Sequence, residues 1–132
     1  MKLVGIGDLF IPNDYILSGF EKLKQYGVEV TTVEWKLKDF EELQNINLAV
    51  EHGGSEAYDP PQYIVDAVSD ADIIITEFCP ITKKVIDSCK NLKVIGVLRA
   101  GCENINISYA SSKNILVYNT PGRNADAVAD FT

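Results

Sequence analysis

The sequence predicts an α/β fold, a three-layer sandwich around a five-stranded parallel sheet. Three observations lead there. Apolar, β-rich runs alternate with segments of helical period along the chain; "DIIITEF" and "KVIGVL" are continuously apolar, as in strands covered on both faces; and no repeat or low-complexity tract breaks the order. Strands joined by helical crossovers must pair in parallel, because the crossover returns the chain to the same end of the sheet.

The elements follow in order. "KLVGIG" reads as a strand closed by a glycine-punctuated turn at Gly7 and Asp8. Ile16, Leu17, Phe20 and Leu23 then share one helical face, with Gly27 as the stop. "VEVTTVEW" is rich in β-branched residues and predicts a second strand. Phe40, Leu43 and Ile46 keep a weaker helical period from Asp39 to about Leu48, and "EHGGSEAYDPPQ" reads as a surface loop. Pro61 can open a helix with Ile64, Val65 and Val68 inward, before the third strand, "DIIITEF". Thr82 can cap a helix that turns Val85, Ile86 and Cys89 inward. "KVIGVL", a short helix over Ile105 to Ala110, and the strand "ILVYN" complete the pattern. Five such units fit a flavodoxin-like strand order, 2-1-3-4-5.

Composition bounds the function. The chain has 132 residues, 46% of them hydrophobic, enough for one domain with its own core. A formal charge of −7 leaves no basic patch to displace counterions from phosphates, which argues against nucleic acid and against an anionic membrane surface. Gly5, Gly7, Asp8 and Pro12 break the first apolar run before it could serve as a signal-peptide core, and no later segment has the length of a membrane span. Cys79, Cys89 and Cys102 form neither an even set nor a metal-ligand spacing, and read as reduced thiols in a cytoplasmic protein. His52, beside Gly53 and Gly54, reads as an exposed loop histidine rather than a catalytic one.

In an open parallel sheet, ligands bind beyond the carboxyl ends of the strands near the switch in strand order. That rule selects three turns: Gly7-Asp8-Leu9, Glu77-Phe78-Cys79-Pro80 and Arg99-Ala100-Gly101-Cys102. Ala100 and Gly101 leave little bulk over the backbone, and a helix starting near Asn104 would add its dipole, so the third turn suits a carboxylate. The competing reading is that Gly101 serves only the turn. Familiar alternatives are absent: no G-x-x-x-x-G-K-[ST], no G-x-G-x-x-G, no Ser/Thr-rich flavin loop in "GDLFIPND", and Thr76-Glu77 where a phosphoreceiver domain has its aspartate. Cys102 has no histidine or lysine placed by sequence to make its thiolate, and reads as a spectator.

The stretch "LKVIGVLRAGCENINISYASSKNILVYNTPGRNADAVADFT" resembles the D-isomer-specific 2-hydroxyacid dehydrogenases, the family of phosphoglycerate, formate and glyoxylate/hydroxypyruvate dehydrogenases. Leu92, Lys93, Ile95, Gly101, Glu103, Asn104, Ile105, Asn106, Ala110, Ile115, Val117, Asn119, Pro121, Gly122, Asn124, Val128 and Ala129 occupy that family's frame, and "ADIIITEFCPITKKVID" fits it more loosely. The resemblance implies a two-domain enzyme: a flavodoxin-like substrate domain, here 1–120, and a Rossmann domain binding NAD or NADP, of which 121–132 would be the hinge and first helical turns. It implies that substrate-binding groups come from Glu77, Phe78, Arg99, Ala100 and Gly101. Contacts with the cofactor's nicotinamide end would come from Ala100 and Val128. It also implies a homodimeric complete enzyme acting on small 2-hydroxy and 2-oxo acids.

Several positions depart from the pattern. Arg99 stands where many members have glycine, Glu103 replaces the usual aspartate, Asn106 replaces the common final aspartate of that turn, and "TEFCP" lacks the Arg-Ser of phosphoglycerate dehydrogenases. A Glu77 carboxylate facing an anionic substrate would repel it, so its side chain is expected to point away, leaving the backbone to act. The family's dinucleotide fingerprint, its carboxylate-binding arginine and its glutamate-histidine proton pair match nothing in these residues. The chain alone is therefore expected to be inactive, with no catalytic residue, no metal and no tightly bound cofactor. "NTPGRNADAVADFT", a Pro-Gly turn followed by an uncapped helical pattern, reads as the crossing into the cofactor domain. The reading from another class is a free-standing flavodoxin-like module that binds a small anion or a protein partner without catalysis.

Overall fold

A computed structural model describes residues 1–120. Its five strands are β1 (Lys2–Gly7), β2 (Glu29–Glu34), β3 (Ile73–Thr76), β4 (Val94–Val97) and β5 (Leu116–Asn119), all parallel, in the order β2-β1-β3-β4-β5. The α/β class and the 2-1-3-4-5 order are those expected from sequence. The segment 121–132, with its expected hinge and helix start, lies outside the described residues, as does Val128.

Strand periodicity sends successive side chains to opposite faces, and this divides the core in two. Val4, Ile6, Ile74, Ile95 and Val97 pack with helices α3 (Gln62–Val68) and α4 (Lys83–Ser88) and with Trp35 and Leu43. Leu3, Ile75 and Leu98 face the other way, against Ile16 and Phe20 of α1 (Asn13–Phe20). α1 sits unusually close to β1. A methyl group added at Gly7 would stand 2.8 Å from the Asn13 backbone nitrogen, which cannot move without shifting the helix start. Gly7→Ala is expected to lower stability by about 1–3 kcal/mol, the usual cost of overpacking, as read from a urea transition. A change below about 0.5 kcal/mol would mean that this contact is slack.

Differences from the sequence reading lie at helix ends. Beyond Phe20 the first helix tightens into a 3-10 segment, Glu21–Tyr26, and stops where Gly27 turns left-handed at φ 82°. α2 runs Phe40–Gly53, longer than expected, because buried Val50 carries the apolar period one turn past Ile46. It starts at Asp39, whose carboxylate accepts from the Glu42 N–H, while Glu42 accepts from the Lys38 N–H. It ends at Gly54, with φ 85° and an N–H that donates to the Val50 carbonyl. His52 therefore sits exposed in the last turn of a helix, not in a loop, and 55–57 form a 3-10 turn.

The last helix, α5, spans Ile107–Ser112 and is capped by Asn106, whose side chain accepts from the Tyr109 N–H. It does not begin at Asn104 or Ile105. Ile105 makes a parallel bridge to Ile81, and Asn104 is buried in the preceding loop. No helix among the described residues is long and apolar enough to cross a membrane.

Candidate functional site

The turns selected by the switch-point rule meet at the carboxyl edge of the sheet, each held by side-chain to backbone hydrogen bonds. After β1, Asp8 forms an Asx turn: its Oδ1 accepts from the N–H groups of Phe10 (2.9 Å) and Ile11 (2.8 Å). This turn lifts Phe10 outward. After β3, the Thr76 hydroxyl donates to the Cys79 carbonyl at 3.0 Å. Asn104, from the β4 turn, donates its Nδ2 to the carbonyls of Glu77 and Cys79, both at 3.2 Å. The Ile81 N–H donates to Asn104 O and the Asn106 N–H to Ile81 O, so the β3 and β4 turns are stapled into one unit. From the far side, the Asn119 side chain donates to the Ala100 carbonyl and the Thr120 N–H to the Arg99 carbonyl.

Arg99, Ala100 and Gly101 lie together at this edge with Phe78. The Arg99 guanidinium is 4.8 Å from the Phe78 ring centroid, and its Nη2 is 3.3 Å from a Glu103 carboxylate oxygen. Ala100 is exposed and Gly101 half-buried, and among the described residues their N–H groups donate to no protein acceptor. Two adjacent free donors beside a guanidinium form an acceptor-seeking surface suited to a carboxylate. The helix dipole expected at this turn is not there, since α5 begins only at Ile107.

Gly101 also separates fold from function. It does not adopt the left-handed conformation, which among the described glycines only Gly27 and Gly54 do. The nearest atoms to a methyl group added there belong to the carboxylate end of exposed Glu103, a flexible side chain that can swing aside at the cost of its pairing with Arg99. The turn thus needs no glycine at this position.

Glu77 is 6% exposed, as is Asp8, and the two carboxyl groups lie close enough, where β3 and β1 end, to influence each other. The Phe78 N–H also acts on Asp8, while the Phe78 ring packs against Phe10 and under Arg99. Burial pushes the Asp8 carboxyl above its ordinary range, against the opposing pull of the Ile11 and Phe10 N–H groups. A raised folded-state value means that the folded protein holds this proton more tightly than the unfolded chain. Asp8 therefore favours folding fully at pH values below its ordinary range, and the benefit is lost as pH rises through its folded value. Asp8→Asn keeps an Oδ1 acceptor and a donor toward Glu77 without the charge. The stability of the variant minus that of the wild type, measured by urea unfolding, should grow as pH rises from 4 to 8. A difference independent of pH would contradict the buried-pair geometry.

The thiols are poor nucleophiles. Cys79 is fully buried, and burial first, then the charge of Asp8, pushes its thiol well up. Burial and Glu103 raise Cys102 against a weaker lowering by Arg99. No group of three or more His, Cys, Asp and Glu among the described residues could hold a metal. A groove of about 510 Å³ along α2 is lined by Lys38, Asp39, Glu41, Glu42 and Tyr58 among others, with three carboxylates against one lysine.

Sequence reasoning chose the right strand ends for this convergence but missed its supports. Asn104 was legible only as a helix start, although an asparagine in a short turn between strands is a common side-chain donor to carbonyls. Phe10 and Phe40 carried no site signal, because packing between turns distant in sequence has no local pattern.

Residues 28–132 match the model of the D-isomer specific 2-hydroxyacid dehydrogenase, catalytic domain. A Staphylococcus epidermidis protein provisionally named a 2-hydroxyacid dehydrogenase is 37% identical over 93 residues, covering 66% of this chain and 29% of that protein. The D-3-phosphoglycerate dehydrogenase of Methanocaldococcus jannaschii is 33% identical over 70 residues, covering 52% of this chain and 13% of that enzyme. The chain thus spans less than a third of these relatives. Among solved structures, NAD+-bound 3-phosphoglycerate dehydrogenase of Entamoeba histolytica shares the fold with a TM-score of 0.62 at 23% identity, over 91% of this chain and 32% of that one.

Proposed function

The chain belongs to the D-isomer specific 2-hydroxyacid dehydrogenase family, matching its catalytic domain over 28–132, and from that premise we propose that residues 1–120 form the substrate-binding half of an NAD- or NADP-dependent dehydrogenase. That enzyme interconverts a 2-hydroxy acid and a 2-oxo acid. The observation that carries this reading is the pair of N–H groups at Ala100 and Gly101, without a protein acceptor among the described residues, beside Arg99 at the carboxyl edge of the sheet.

In this reading the substrate carboxylate accepts from the Ala100 and Gly101 N–H groups, and Arg99 adds a positive field from its place over Phe78. Held there, the carboxylate fixes the orientation of the adjacent carbonyl or hydroxyl carbon. The nicotinamide cofactor supplies or accepts the hydride when bound. The exposed Ala100 methyl suits contact with the nicotinamide end only. A dinucleotide also needs a strand, a glycine-rich turn and a helix N-terminus in series, a G-x-G-x-x-G pattern that the sequence lacks. The three turns carry no histidine, and His52 is on α2, so proton transfer falls to groups outside this half-site. Residues 121–132 serve as the crossing to the cofactor domain, and the complete enzyme is a homodimer. The three free thiols of these 132 residues fit a reducing, cytoplasmic setting.

The test is oxidation of NADH or NADPH by the complete enzyme across a panel of 2-oxo acids, beside the 132-residue chain alone. Turnover by the complete enzyme with none by the chain is expected. Failure of the complete enzyme to reduce any 2-oxo acid would overturn the dehydrogenase reading, and turnover by the chain alone would overturn the division between two halves.

A further inference from the structure

The carboxyl edge carries an aromatic surface that folding does not use up. Phe10 and Phe40 remain 52% and 51% exposed, although each has a ring neighbour within stacking reach. The Phe10 ring lies 5.1 Å from Phe40 and 5.6 Å from Phe78, and Arg99 stands over the outer ring, Phe78. The four residues come from four places in the chain: the β1 turn, the start of α2 after β2, the β3 turn and the β4 turn. They line the same edge as the free Ala100 and Gly101 donors. Half-exposed rings gathered from separate elements leave apolar area that a ligand substituent can cover, and aromatic partners add directional stacking.

The charges at this edge point the same way. The three turns supply no lysine and one arginine, and that arginine already pairs with Glu103. At the same edge, Asp8 and Glu77 place two buried carboxyl groups where β1 and β3 end. A first carboxylate finds two N–H donors and Arg99. Among the residues of these three turns, a second anionic group on the substrate would find no further cation, and it would approach two carboxyls.

Resting on the dehydrogenase reading, we propose that this site selects a 2-oxo or 2-hydroxy acid with a single carboxylate and a bulky apolar substituent, best an aromatic one. The substituent lies among Phe10, Phe40 and Phe78, and phosphorylated or dicarboxylic acids are disfavoured. Phe10 is the specificity-determining residue most open to test, because it is half exposed and its truncation leaves both core clusters intact.

The experiment measures kcat/KM of the complete enzyme for phenylpyruvate, glyoxylate and 3-phosphohydroxypyruvate, in the wild type and in Phe10→Ala and Phe10→Leu, with a thermal melt to confirm folding. The wild type should prefer phenylpyruvate to either other acid by roughly tenfold or more, the scale of discrimination an apolar pocket supplies. Phe10→Ala should lower kcat/KM for phenylpyruvate by about tenfold or more and leave glyoxylate within about twofold, with Phe10→Leu in between. Wild-type preference for glyoxylate or for the phosphorylated acid, or equal losses for both acids in Phe10→Ala, would overturn the proposal while leaving the dehydrogenase reading in place. Absence of reduction of all three would overturn both.

Discussion

Replacing Asn104 with alanine is expected to lower the free energy of unfolding by about 2–3 kcal/mol and, in the complete enzyme, to reduce kcat/KM by roughly a hundredfold. The side chain is 1% exposed, and its Nδ2 spans the Glu77 and Cys79 carbonyls. Cys79 O keeps a second donor, the Thr76 hydroxyl, so the loss falls on the hydrogen bond to the Glu77 carbonyl. A buried acceptor without its donor costs roughly 1–3 kcal/mol, to which the vacated amide volume adds. The functional loss follows from geometry, because the same amide holds the Phe78 turn against the Arg99-Ala100-Gly101 turn. A drift of about 1 Å between groups that position a substrate costs on the order of 10²-fold in rate. Urea unfolding at unchanged m-value reads the first effect and steady-state kinetics the second. A variant as stable as the wild type would show that the Ile81 and Ile105 bridge suffices to join the turns.

Gly101→Val should do the reverse, sparing stability and damaging binding. Gly101 needs no left-handed backbone, and the nearest atoms to a Cβ there are those of the exposed Glu103 carboxylate, so the stability change should stay within about 0.5 kcal/mol. A branched side chain over the turn would block approach to the free N–H groups. Loss of one charge-assisted hydrogen bond, worth about 1.5–3 kcal/mol, corresponds to roughly a 10- to 100-fold fall in kcat/KM. Equal and large losses of stability would instead assign the glycine to the turn alone. The two variants together separate a residue that builds the site from one that leaves it open.

Much of this was legible in the sequence. The continuous apolar runs of β3 and β4 declared a sheet covered on both faces, and Thr82, Gly27 and Pro61 marked helix limits at or next to where they fall. The carboxyl-edge rule located the convergent turns before any side chain was placed. What sequence periodicity could not express was where helices stop. Val50 extends α2 through its burial, and Asn104 is taken from α5 by two carbonyls that belong to another loop. Both outcomes depend on partners distant in sequence. The same holds for the carboxyl pair of Asp8 and Glu77, 69 positions apart in the chain yet adjacent where β1 and β3 end. At Glu77 the sequence reading expected a side chain turned away from the substrate; in the fold that side chain is buried, and the Glu77 carbonyl accepts from Asn104.

The central claim, that the Ala100 and Gly101 turn receives a carboxylate, is tested most directly on the 132-residue chain itself. Its backbone amide resonances can be followed by two-dimensional NMR during a titration with oxamate, a small analogue of a 2-oxo acid. The expected result is saturable shifts of the Ala100 and Gly101 amides, with smaller ones at Arg99 and Phe78, and no change along the acidic groove of α2. Shifts confined to α2, or none at Ala100 and Gly101 at saturating oxamate, would contradict it.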